Sequence, residues 1–158
     1  MHGGARLNGP IPVVAGTILA AVALTGCGPA SGDQVVAAPQ AGTPACAAAL
    51  AAAPATVLGR PRSPLPVPGT VAWGEPPIVV RCGLPEQRPT TKRCLSVDDV
   101  DWVVDDVGDP LVFTAYGRAP TVEVRVPRAL GEQQAPAALA VLAPVARAVP
   151  TTARACVG

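Results

Sequence analysis

A chain of 158 residues, with a formal charge of +1 and its only His at position 2, has room for one domain around one modest core. The near balance of 12 basic and 11 acidic residues gives no electrostatic reason to expect nucleic acid or an anionic lipid surface as partner. A Ser–His–Asp or Cys–His arrangement is excluded beyond His2, and no Gly-rich loop suited to cradling phosphate is present.

Residues 1–27 carry the three parts of a bacterial export signal: a short polar start with one charge, Arg6, an apolar stretch over residues 11–24, and small residues approaching a cleavage point. Leu24-Thr25-Gly26-Cys27 resembles a lipobox. Small Thr25 and Gly26 let an extended backbone enter a peptidase site, and the Cys27 thiol is the nucleophile for a diacylglyceryl thioether. Two acyl chains suffice for stable anchoring, where one is marginal. The expectation is a lipoprotein on the outer face of the cytoplasmic membrane, with a signal peptide over residues 1–26, a lipidated cysteine and flexible tether over 27–45, and one extracytoplasmic domain over 46–158. Two alternatives are an uncleaved anchor, for which the 16 residues 11–26 fall short of a membrane span, and release as a soluble protein. Cleavage before Cys27 would leave 132 residues with 11 basic and 11 acidic groups and no His.

Residues 28–45, rich in Gly, Pro, Ala and Ser, read as the tether. An Ala-rich helix is expected over residues 45–53, stopped by Pro54. Residues 59–69 cannot be helical, because their prolines remove donors and push preceding residues toward extended geometry. From Thr70 the apolar period becomes two: Val71 and Trp73; Ile78, Val80 and Cys82; Val100, Trp102 and Val104; Leu111 and Phe113; Val122, Val124 and Val126. Residues 105–110 and 117–120 read as turns joining the last three strands into an antiparallel meander, with Gly108 and Gly117 supplying positive φ. A second helix is expected over residues 136–149, with Leu139, Leu142, Ala146 and Val149 as its buried stripe and Pro144 kinking or shortening it. The fold class is α+β: a small antiparallel sheet of about five strands packed on one face by two short helices.

Cys46, Cys82, Cys94 and Cys156 make an even number in an exported small domain, which reads as two disulfides. Of the three possible pairings, Cys82–Cys94 (closing a short polar loop) with Cys46–Cys156 (tying the two helices together) is preferred. A zinc site would lack both His and a Cys-x-x-Cys knuckle.

The segment Ala72-Trp73-Gly74-Glu75-Pro76-Pro77-Ile78-Val79-Val80-Arg81-Cys82, the later Cys94, Val100-Asp101-Trp102, Tyr116-Gly117-Arg118-Ala119-Pro120 and the closing Cys156 resemble the actinobacterial family called domain of unknown function 3515, over roughly residues 45–157. Ala115 departs from the Thr that this resemblance leads one to expect before Tyr-Gly-Arg, and the loop over residues 83–93 matches nothing recognisable. The resemblance implies an exported, membrane-associated envelope protein and assigns no activity. Genes of the family often lie near cell-wall precursor genes, an associational pointer toward peptidoglycan biology.

Trp73, Arg81, Tyr116 and Arg118 form the candidate binding patch, able to hold a sugar ring or a carboxylate by stacking and bidentate hydrogen bonds. Against it stands core use of the tryptophans and pairing of Arg81 with an acid such as Asp101. The acidic run Asp98, Asp99, Asp101, Asp105, Asp106 and Asp109 invites a calcium reading, but its spacing is interrupted by Trp102-Val103-Val104. No catalytic residue, metal or cofactor is expected. The reading is an interaction module that binds an envelope protein or a peptidoglycan component, with a carboxylate- or metal-dependent cell-wall enzyme as the alternative. A two-lobed solute receptor is disfavoured by length.

Overall fold

The computed structural model describes residues 34–157 together with Gly4 and Gly9; the expected export signal, Cys27 and the start of the tether lie outside the described residues. Among the described residues no helix is long and apolar enough to cross a membrane.

Thr43 opens the first helix, α1 (Pro44–Ala51), by accepting the Cys46 N–H on its hydroxyl at 3.4 Å, with Pro44 occupying a first-turn position where no amide donor is needed. The second helix, α2 (Gln134–Arg147), lies two residues nearer the N-terminus than its apolar stripe suggested. It runs through Pro144 and ends three residues later, so the missing proline donor falls in the last turn. Ala135, Ala138, Leu139, Leu142, Ala143, Val145 and Ala146 are its buried face.

Eight strands, rather than about five, form one antiparallel sheet: β1 (Thr56–Val57), β2 (Arg60–Ser63), β3 (Thr70–Trp73), β4 (Ile78–Leu84), β5 (Cys94–Val97), β6 (Val100–Asp105), β7 (Leu111–Ala115) and β8 (Thr121–Val126). Their order is β1-β2-β3-β4-β8-β7-β6-β5. Two four-stranded meanders, one per half of the chain, are thus joined where β4 pairs with β8. The five strands with clear apolar alternation are β3, β4, β6, β7 and β8, and β6-β7-β8 is the expected meander. The three additional strands lie at the two edges or beside them. β2 sits inside the proline-rich segment, where an edge-proximal position tolerates the donor that Pro61 lacks. Two-residue hairpins close both edges, through Leu58-Gly59 and Asp98-Asp99, all four residues at positive φ as a type I′ turn requires.

One sheet face carries Trp73, Ile78, Val80, Cys82, Val100, Trp102, Phe113 and Val122–Val124–Val126 into a core shared with both helices. The opposite face is not bare. Residues 36–43, expected to belong to the flexible tether, are instead seated across β4: Arg81 Nη1 donates to the Val36 carbonyl at 3.2 Å, Gln40 N–H donates to the Gly83 carbonyl at 2.9 Å, and Ala38 is buried. Close approach requires glycine beneath this strap. A Cβ at Gly83 (φ +107) would lie 2.4 Å from the Ala41 nitrogen, and Gly83 marks the irregularity in the β4–β8 register.

The disulfides are Cys46–Cys82 and Cys94–Cys156, correcting the preferred pairing. Strand order is the reason. Cys82 on β4 and Cys94 on β5 are four strand positions apart, about 19 Å at ordinary sheet spacing, whereas a disulfide needs Cα atoms within about 7 Å. Cys46–Cys82 staples α1 onto β4, and Cys94–Cys156 staples β5 to the C-terminal segment.

A candidate binding cleft

Past α2 the chain runs back along the loop between β7 and β8. Arg118 and Thr151 form an antiparallel bridge, the Thr152 N–H donates to the Gly117 carbonyl at 2.8 Å, and the Ala119 N–H donates to the Pro150 carbonyl at 3.2 Å. Gly117 is expected as a positive-φ turn residue, and its φ is 68°. A second demand is added by packing: a Cβ there would lie 2.0 Å from the Arg154 carbonyl oxygen.

Between this loop, the C-terminal segment and the β5–β6 hairpin opens a cleft of about 600 Å³. The loop contributes Tyr116 and Arg118, the C-terminal segment Thr151, Thr152 and Arg154, and the hairpin Asp98, Asp99 and Asp101. Arg118 is 9% exposed. Its Nη1 donates to the carbonyls of Val149 (2.9 Å) and Arg147 (3.4 Å), so its cation meets the negative end of α2. Its Nε and Nη2 make no hydrogen bond among the described residues. Burial lowers the pKa of this guanidinium from its usual value, the Arg147 charge adds to the shift, and Asp101 opposes it; it remains a cation at neutral pH.

The other charges around the cleft are mostly engaged. Arg147 donates to the Asp98 carboxylate at 2.8 Å, and Arg154 pairs with Glu86 at 2.6 Å. Asp101 accepts from the Ser96 hydroxyl and, at 2.7 Å, from the Cys156 N–H, so the second disulfide helps fix the floor. Asp99 makes no hydrogen bond or ion pair among the described residues and is exposed.

Of the predicted patch, Tyr116 and Arg118 come together and Trp73 and Arg81 do not. Trp73 is fully buried in the core, its Nε1 donating to the Pro54 carbonyl at 3.0 Å. Arg81 lies on the strap-covered face and pairs with Glu123 at 3.1 Å, directly across β4–β8, rather than with Asp101. Thr151, Thr152 and Arg154 were not legible as cleft residues: they follow the last periodic segment, and only the bridge to Arg118 brings them in.

The acids of the calcium reading are spread over separate partners. Asp105 is bound by Lys92, Asp106 by Arg93 at 3.7 Å, and Asp109 accepts the Arg128 N–H at 2.9 Å. Among the described residues no three His, Cys, Asp or Glu side chains gather as a metal site.

These features define a class: a disulfide-stapled α+β domain with one antiparallel sheet, helices on one face, and an open polar cleft at the sheet's end. The chain belongs to the family described as protein of unknown function (DUF3515), whose model matches residues 7–154. Comparison with curated proteins and with solved structures finds no match.

Proposed function

We propose that this chain is a non-enzymatic binding module of the cell envelope, held at the outer face of the cytoplasmic membrane by lipid on Cys27, and that its cleft receives a carboxylate group of a partner protein or cell-wall component. The observation that carries this reading is Arg118. A cation that is nine-tenths removed from water, with two donor groups uncommitted and lining a cleft, favours a bidentate anionic ligand over solvent. The cleft's hydroxyls, on Tyr116, Thr151 and Thr152, supply further donors around such a group.

The seated strap bears on where the ligand is met. Val36 is nine residue steps beyond Cys27, so a lipid-anchored chain would keep Val36 within about 32 Å of its anchor even if that stretch were fully extended. The partner on this reading is close to the membrane surface.

The test is titration of the full chain, extracted in detergent, with peptidoglycan fragments that end in a free carboxylate. Binding that drops at least tenfold in Arg118→Lys, which keeps the charge but not the planar fork, supports the reading. Binding unchanged in that variant removes the cleft as the functional site, and no binding by any fragment removes the cell-wall component and leaves a partner protein as the source of the carboxylate.

A further inference from the structure

Charge is divided unevenly across the cleft. Its wall holds the buried Arg118 cation with Nε and Nη2 uncommitted, and its rim holds Asp99 at the tip of the β5–β6 hairpin. The neighbouring carboxylates are hydrogen-bonded, Asp98 by the Arg147 cation and Asp101 by the neutral Ser96 hydroxyl and Cys156 N–H, which leave the Asp101 charge acting on Arg118. Asp99 is not hydrogen-bonded among the described residues. Its backbone sits at φ 61°, in a two-residue turn whose register is fixed by the Val97–Val100 pair, so the carboxylate is held at the cleft by the hairpin and not by a side-chain partner.

We infer that the cleft selects a zwitterionic ligand, a free amino acid or short peptide that presents its carboxylate to Arg118 and its ammonium to Asp99. This rests on the carboxylate reading of Arg118 and adds to it the demand for a cation on the same molecule. A ligand carrying only a carboxylate leaves Asp99 unpaired and adds its charge to those of Asp99 and Asp101 in the same cleft. A ligand carrying only an ammonium leaves the Arg118 donors to water and sets a like charge in its cleft, which is the greater loss because it forgoes charge-assisted hydrogen bonds rather than one exposed ion pair. Tyr116 lines the same cleft and offers a surface for the ligand's apolar stem.

The probes are three forms of one dipeptide: Ala-Ala, its N-acetyl derivative and its C-terminal amide. Titration calorimetry on the detergent-extracted full chain compares them, at low and at moderate salt. The expected order is Ala-Ala tightest, acetyl-Ala-Ala about three- to fivefold weaker, as for loss of one exposed ion pair, and the amide weakest. In Asp99→Asn the preference for the free amine disappears while acetyl-Ala-Ala binds at least as well as before. Asn tolerates the left-handed conformation at this position, so the variant keeps the hairpin. Equal binding of Ala-Ala and acetyl-Ala-Ala to the native chain overturns the zwitterion and leaves the carboxylate reading intact. Tightest binding by the amide, or binding by none of the three, overturns both.

Discussion

The two halves of the sheet use the same parts to different ends. Each is a four-stranded meander, each is closed at its edge by a two-residue hairpin, and each carries one disulfide. In the first half the disulfide is fully buried, joining α1 to β4 inside the core, and the strap of residues 36–43 lies across β4 on the opposite face. In the second half the disulfide is partly exposed and ties the C-terminal segment beside the cleft, where Cys156 N–H meets Asp101. One crosslink therefore lies in the core and the other beside the candidate cleft. The number of cysteines does not distinguish these positions; their place in the strand order does.

Removing the crosslinks is the strongest way to break this contrast. Their sequence separations, 36 and 62, make each worth about 4 kcal/mol on the chain-entropy account. Cys46→Ala with Cys82→Ala also empties two buried positions, so it lowers Tm further than Cys94→Ala with Cys156→Ala does, on the order of 15 °C by scanning calorimetry. Mild reduction followed by alkylation and mass spectrometry labels Cys94 and Cys156 first, with Cys46 and Cys82 protected until unfolding. Labelling in the opposite order would mean that the two halves have been assigned the wrong roles.

A sharper comparison uses one glycine from each half. Gly83→Ala drives a Cβ into the strap and Gly117→Ala drives one into the Arg154 carbonyl, each at a positive φ, and each costs about 2 kcal/mol or more in urea unfolding. Only Gly117→Ala displaces the C-terminal wall of the cleft, so it alone weakens ligand binding. Equal effects on binding would place the functional surface elsewhere.

The smallest effect is electrostatic and confined to the second half. The Asp105 carboxyl is held below its ordinary pKa by the hydrogen bond from Lys92, then by the Val107 N–H. A depressed folded-state pKa means the contribution is present above the ordinary carboxylate range and is lost as pH falls through the lowered value. The pair is well exposed, so the contribution is a few tenths of a kcal/mol after solvent screening. Asp105→Asn lowers Tm slightly at pH 7, and the gap to the native chain closes once the pH falls below the lowered pKa. A gap that persisted in acid would mean Asp105 acts through something other than its charge.

Alternation was enough to find the sheet's middle. The stripes on β3, β4, β6, β7 and β8 can be read from the residues because burying one face of a pleated strand imposes a period of two. β1, β2 and β5 escaped for the converse reason: they are short, and Arg60-Pro61-Arg62-Ser63 has no face to bury. The strap escaped because Ala, Gly and Pro look alike in a leash and in a segment pressed against glycines. In the site, Tyr116 and Arg118 were legible because a turn beside a strand end places long polar side chains at the sheet's rim. Trp73 was misassigned because an aromatic beside a turn carries no mark of which way it points.

Local chemistry in the chain was therefore sufficient for the α+β class, the two helices, the central strands and the membership of all four cysteines in an oxidised framework, since each depends on neighbours a few residues away. Which cysteine meets which, where the strap lies and which charges remain unspent were decided only by the joining of β4 to β8. That pairing sets β4 and β5 on opposite sides of three intervening strands and leaves the far end of the chain to fold back over Gly117, a contact between residues whose separation along the chain gives no local signal.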